Sequence, residues 1–156
     1  MTLNDDERLA IFRALLDHCD AVDIEIGSDI FGSVVAMAQR HRKTVIGSFH
    51  DFSGTPEINE LIRIVEKGRS FTADIVKIAV MPKSRHDLQT LTALTLKYCD
   101  QGIITIGMGL LGTASRLYLP MIGSLMAYAS LDEETAPGQL SLAEMRRHFS
   151  LFTPGG

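Results

Sequence analysis

The chain has no tryptophan, only two cysteines, and no apolar run of membrane-spanning length. Each shortage excludes something. Cys19 and Cys99 are too few for a disulfide scaffold and fit no metal-ligand spacing, so reduced thiols are expected. A membrane helix needs roughly 20 consecutive apolar residues, and no stretch approaches that. The opening residues, Met1 to Glu7, are acidic and polar, unlike a signal or transit peptide. Basic residues are also scarce: 15 Lys and Arg against 19 Asp and Glu leave a net charge of −4. That gives no electrostatic footprint for nucleic acid. The expectation is a cytoplasmic protein with neither nucleic acid nor membrane as partner. What is present is a soluble globular composition, 46% hydrophobic and 22% charged over 156 residues. That length supports one domain, 1–156, with a sizeable core. No linker or low-complexity segment interrupts it.

Helical and strand patterns alternate along the chain. Leu9, Phe12, Leu15 and Leu16 form a helical stripe over Asp5 to His18. Strands are expected at 21–26, 44–49, 73–82, 102–107 and 124–128. Between them, Asp29 is positioned to cap a helix running to about Arg40. Thr55-Pro56-Glu57 opens another helix, which Lys67-Gly68 closes. Ser84 caps a third, with Asp87 at its third position. Gly107-Met108-Gly109-Leu110-Leu111-Gly112 leads into a short helix, and Leu142 to Phe149 forms the last. A leading helix followed by five βα units means a parallel sheet with right-handed crossovers.

The chemistry gathers on two of these strands. Lys77 stands inside Ala73-Asp74-Ile75-Val76-Lys77-Ile78-Ala79-Val80-Met81-Pro82, a run that reads as a strand buried on both faces. An unpaired ammonium is costly to bury, and the neutral amine is a nucleophile that condenses with carbonyls. The plainer alternative is a lysine that snorkels to water or pairs with a carboxylate. The strand Thr44 to Phe49 ends in His50 and Asp51. Parallel α/β folds collect their chemistry at the C-terminal ends of strands. His50 is therefore either an acid/base group facing the same mouth as Lys77 or a loop histidine before Thr55-Pro56.

Arg116 follows the glycine-rich turn, as a carboxylate clamp or a solvated helix arginine. That turn lacks the GxxxxGK[ST] pattern of a nucleotide loop. Thr135-Ala136-Pro137-Gly138-Gln139 reads as a rigid turn, and 131–139 is the best candidate for a lid. Glu25 ends a strand, where a structural role is expected. His18, His41, His86 and His148 read as surface residues.

The ordered stretches Val22-Asp23-Ile24-Glu25, Ser48-Phe49-His50-Asp51-Phe52 with Thr55-Pro56, Ala73 to Pro82, Asp87-Leu88, Gly107-Met108-Gly109, Ser115-Arg116 and Ala136-Pro137-Gly138-Gln139 span almost the whole chain. Together they resemble the type I 3-dehydroquinate dehydratases of the shikimate pathway, lyases of aromatic amino-acid biosynthesis. The resemblance implies a (β/α)8 TIM barrel without metal or dissociable cofactor. It implies that Lys77 forms an imine with the ketone of 3-dehydroquinate and that His50 moves the protons. Arg116 and Gln139 would hold the carboxylate and hydroxyls of the substrate, with Thr135 standing where the family usually has serine. Met108 and Phe52 would line the pocket.

The family's first three strands precede the matching part. They carry a Glu-x-Arg pair, a further arginine and the glutamate that orients the histidine. An incomplete barrel of about five βα units is therefore expected, with open edges and His50 left unoriented. The edges imply a sticky surface, poor stability or an oligomer covering the gap, with a homodimer expected. Two other readings stay open at this point. One is a catalytically silent half-barrel acting only as an interaction or remnant module. The other is a different lysine-imine barrel such as an aldolase, against which Ser-Phe-His-Asp-Phe and Ala-Pro-Gly-Gln argue.

Overall fold

A computed structural model describes residues 3–131 and 136–152. It contains one sheet of four parallel strands in the order β1 (Ala21–Glu25), β2 (Thr44–Asp51), β3 (Ile75–Val80), β4 (Ile103–Gly107). The helices α1 (Asp5–Leu15), α2 (Phe31–Arg40), α3 (Ile58–Ser70) and α4 (Arg85–Tyr98) each precede or connect these strands. The short α5 (Gly109–Gly112) and α6 (Ser115–Met121), then α7 (Leu142–Phe152), complete the described elements. Asn4 and Glu7 form a reciprocal capping box at the start of α1. The expected helix to His18 ends instead in a 3-10 turn over Leu16–His18.

Alternation along the strands separates two faces. Val22, Ile24, Val45, Val76, Ile78, Val80 and Ile103 pack with Phe31 and Val34 of α2, Leu61 and Val65 of α3, and Leu91 and Leu94 of α4. This is the main core. The opposite face carries Ile46, Ala79, Ile104 and Ile106 as a smaller apolar cluster. It also carries the polar positions Asp23, Glu25, His50 and Lys77. The register puts Glu25 opposite Ser48, Ser48 opposite Lys77, and His50 opposite Ala79. Three neighbouring strands thus present their polar residues as one row.

Three local expectations are corrected. Segment 124–128 is not a fifth strand, so four strands are described rather than five. Ser124 explains why. Its hydroxyl accepts from the Thr105 backbone N–H at 3.0 Å, taking a donor that a fifth strand beside β4 would need. Only Leu125 N–H reaches the β4 backbone, at Ile103 O. Asp29 does not cap α2, which starts at Phe31 with Ile30 in the cap position and no side-chain cap bond. Gly68 does not end α3, which continues to Ser70. Its bare Cα lets α3 approach the sheet: a Cβ there would lie 3.0 Å from Ile26 and from Val76. Ser84 caps α4 as expected, accepting from Asp87 N–H.

The glycine-rich turn after β4 is a packing device. A Cβ on Gly112 would sit 2.4 Å from the Gly107 carbonyl carbon, a backbone atom that cannot swing away. Gly112→Ala is expected to destabilise the chain by about 1–3 kcal/mol, the range for overpacking. Gly27→Ala is the control, because nothing lies within 4 Å of the added methyl. It should be neutral or stabilising by a few tenths of a kcal/mol, about the effect of a less flexible unfolded chain. Urea midpoints of the two variants check both.

Candidate active site

A cleft of about 190 Å³ opens over the C-terminal ends of β2, β3 and β4. Its lining includes His50, Phe52, Lys77, Met108, Arg116 and Gln139, six of the seven site residues expected from the sequence. The seventh, Thr135, lies outside the described residues, as do the acidic positions 132–134 of the expected lid. Ala79, Ile106, Tyr128 and Ala136 complete the lining.

Lys77 reaches across β2. Its Nζ donates to Asp23 Oδ2 of β1 at 2.8 Å, with 12% of the lysine side chain exposed and 38% of the aspartate. The carboxylate pairing considered for this lysine is therefore present, and it does not remove the lysine from the cleft. The Tyr128 ring lies on its other side, 5.1 Å from Nζ to the centroid.

His50 is not left unoriented. Its Nδ1 makes a 2.8 Å hydrogen bond with Glu25 Oε2, and its backbone N–H donates to Glu25 Oε1 at 3.1 Å. Ser48 Oγ donates weakly to the same carboxylate at 3.4 Å. A carboxylate only accepts, so Nδ1 carries a proton, and in the neutral ring it is then Nε2 that holds the lone pair. An oriented imidazole with a free Nε2 is the form a general base needs. The Phe52 ring stacks on the imidazole at a centroid distance of 6.3 Å and an interplanar angle of 12°. Phe52 itself is 63% exposed.

Arg116, 3% exposed, is fixed by its surroundings. It donates from Nη1 to Tyr128 O at 3.4 Å and from Nη2 to Pro137 O at 3.3 Å. It thus ties segment 124–128 to the Ala136–Gln139 turn. That turn is also fastened to α5, because Gly109 N–H donates to Pro137 O and Thr113 Oγ1 donates to Gly138 O. Gln139, 7% exposed, is held at the cleft by this framework.

Asp51 closes the loop after His50. The Ser53 hydroxyl at 2.6 Å, with the Ser53 and Gly54 N–H groups, holds its carboxyl below the usual range despite the opposing effect of burial. A carboxyl whose pKa is depressed by folding supports the fold above its unfolded value, near 4. That support disappears as pH falls through the depressed value. Asp51→Asn is therefore expected to lower the urea midpoint at pH 7, with the gap from the parent closing as the solution is acidified below about pH 4. A gap that stayed constant with pH would contradict this origin.

Asp23 and Tyr128 are site residues that the sequence did not reveal, and Glu25, expected only in a structural role, holds His50. The signal for the two carboxylates was present. Asp23 and Glu25 are two apart on one strand, so both share a face, and β2 and β3 put Ser48, His50 and Lys77 on that same face. Tyr128 was hidden by its assignment to a strand. Of the expected surface histidines, His18, His41 and His86 are exposed and His148 is half-buried.

The fold agrees with solved structures. The chain superposes on 3-dehydroquinate dehydratase from Geobacillus kaustophilus HTA426 with a TM-score of 0.91 at 30% identity. That match covers 97% of this chain and 62% of the other. A type I 3-dehydroquinate dehydratase from Clostridium difficile matches with a TM-score of 0.88 at 29% identity, over 97% of this chain and 63% of that one. These neighbours are TIM-barrel proteins, and the four-stranded sheet is an incomplete part of such a barrel. Among curated proteins, the 3-dehydroquinate dehydratase of Thermodesulfovibrio yellowstonii is 37% identical over 144 residues, covering 92% of this chain and 64% of its own length. That of Escherichia coli O9:H4 is 40% identical over 146 residues, covering 88% and 58%. The chain thus spans about three fifths of the length of these relatives. The type I 3-dehydroquinase family pattern matches residues 1–154, and with these relatives it shows that the chain belongs to the type I 3-dehydroquinase family.

Proposed function

We propose that this chain carries the imine-forming half of a 3-dehydroquinate dehydratase site and converts 3-dehydroquinate to 3-dehydroshikimate and water. The observation that supports this most is the pairing in one cleft of a lysine, Lys77, with a histidine held by a carboxylate, His50 and Glu25. The solved Clostridium difficile relative is described with covalently modified comenic acid, which fits a site that holds a nucleophile.

The steps follow from the positions. Lys77 Nζ, once it gives up a proton, attacks the ketone carbon, and loss of water from the adduct leaves an iminium. The iminium withdraws electrons from the neighbouring carbon and acidifies its hydrogen. His50 Nε2 takes that proton, and the electron pair moves into an enamine. The enamine electrons then expel the β-hydroxyl as water, with His50 returning the proton. Water hydrolyses the conjugated iminium, releasing the enone and restoring the amine. Arg116 and Gln139 would hold the carboxylate and hydroxyls, and Met108 and Phe52 would wall the ring in. The same reading carries a homodimer in the cytoplasm, which sedimentation and fractionation test.

Incubation of the purified chain with 3-dehydroquinate tests the activity. The reading expects growth of the ultraviolet absorbance of a conjugated enone. A folded chain that produced none would favour a catalytically silent module.

A further inference from the structure

We propose that Tyr128 is a positioning residue whose ring face seats the Lys77 nitrogen, first as ammonium and then as iminium. This deepens the reading above and rests on it for its catalytic part. Lys77 Nζ lies between two groups on opposite sides of its strand. Asp23, two strands away on β1, draws it one way at 2.8 Å. Tyr128, in the segment after α6, faces it from the other at 5.1 Å. That distance is within the roughly 6 Å reach of a cation–π contact, and such contacts strengthen where the cation is shielded from water. Only 12% of the lysine side chain is exposed.

The two partners differ in what they ask of the nitrogen. A carboxylate is served best by the N–H groups of an ammonium. Imine formation replaces two of the three hydrogens with a double bond to carbon. The positive charge survives that change, and a ring face needs only the charge. Tyr128 therefore keeps its hold on the nitrogen through the step at which the Asp23 pair is weakened.

The ring, rather than the hydroxyl, carries this role. No hydrogen bond of the Tyr128 hydroxyl is formed among the described residues, whereas the ring packs against the cluster of Ile46, Ala79, Ile104 and Ile106. Arg116 fixes the ring's backbone through the Tyr128 carbonyl.

The test reads the contact without substrate. Lysines are reductively methylated with ¹³C-formaldehyde, and the Lys77 dimethyl resonance is assigned by its loss in Lys77→Ala. This assignment separates it from Lys97, which lies over Tyr98. The Lys77 resonance should be shifted upfield by the ring current in the parent chain and in Tyr128→Phe, and should return to the ordinary position in Tyr128→Leu. Circular dichroism confirms that each variant is folded. An upfield shift that survived in Tyr128→Leu, or vanished in Tyr128→Phe, would overturn the seat. Borohydride trapping with 3-dehydroquinate then reads its consequence. Tyr128→Leu should trap about tenfold more slowly, a change within the range of a shielded cation–π contact, and Tyr128→Phe should match the parent. Equal trapping in Tyr128→Leu would overturn the role in imine formation. A parent chain that trapped nothing would instead defeat the imine reading, while the resonance would still decide whether Tyr128 seats the lysine.

Discussion

Lys77→Ala is expected to abolish turnover of 3-dehydroquinate altogether while leaving the chain folded. The two halves of this expectation have different causes. Turnover goes because no other described lysine lines the cleft, and without an amine there is no iminium to act as an electron sink. The fold survives because Lys77 lies on the inner face, away from the main core of Val76 and Ile78. Its loss leaves Asp23 unpaired, but that carboxylate is 38% exposed and water can solvate it. The stability change should therefore be about that of a partly exposed ion pair, within roughly 1 kcal/mol. Product assays and urea denaturation on the same preparation check both halves. Residual dehydration by a folded Lys77→Ala chain would refute the imine mechanism.

His50→Ala should fail at a different step. It removes the acid/base group and keeps the amine, so turnover should fall by about 10²–10⁴, the usual contribution of positioned proton transfer. The imine should still form and accumulate. Borohydride would then trap a covalent adduct in His50→Ala and none in Lys77→Ala. Glu25→Gln should lose less, because the ring and its Nε2 remain and only the carboxylate that fixes the tautomer is changed. If His50→Ala turned over at the parent rate, the proton transfers would belong to another group.

Much of this arrangement was readable from residue order. The runs around Val45, Val76 and Ile103 are largely apolar, the run around Val22 alternates apolar and charged residues, and helices of matching amphipathicity separate them. Those features dictate a parallel sheet, and a parallel sheet puts His50 and Lys77 at one edge. Segment 124–128 was misread for a specific reason. Its composition suits a strand, but strand formation needs backbone partners, and Ser124 spends its side chain on the Thr105 N–H that would supply one. Leu125 and Met126 are left about half exposed. Gly68 was misread in a similar way, because a glycine near a helix end serves equally as a cap or as a point of close approach, and only the neighbouring strand decides.

The least legible part was the partnership of charges. That Glu25 would hold His50, and Asp23 would hold Lys77, depends on register across β1, β2 and β3. Shifting one strand by a single residue would turn either carboxylate to the other face. The local sequence fixes which residues share a face of one strand, whereas the relative slide of strands is set by the packing of α2 and α3 beneath them. Resemblance to the family pointed toward an absent orienting glutamate, and the structure supplies a carboxylate at His50 from within this chain.

The most direct test of the central claim is intact mass after incubation with 3-dehydroquinate and borohydride, followed by peptide mapping. An imine at Lys77 predicts a single reduced adduct, carried by the peptide that contains Lys77 and absent from Lys77→Ala. A folded chain that gains no mass, or gains it on another lysine, would contradict the account.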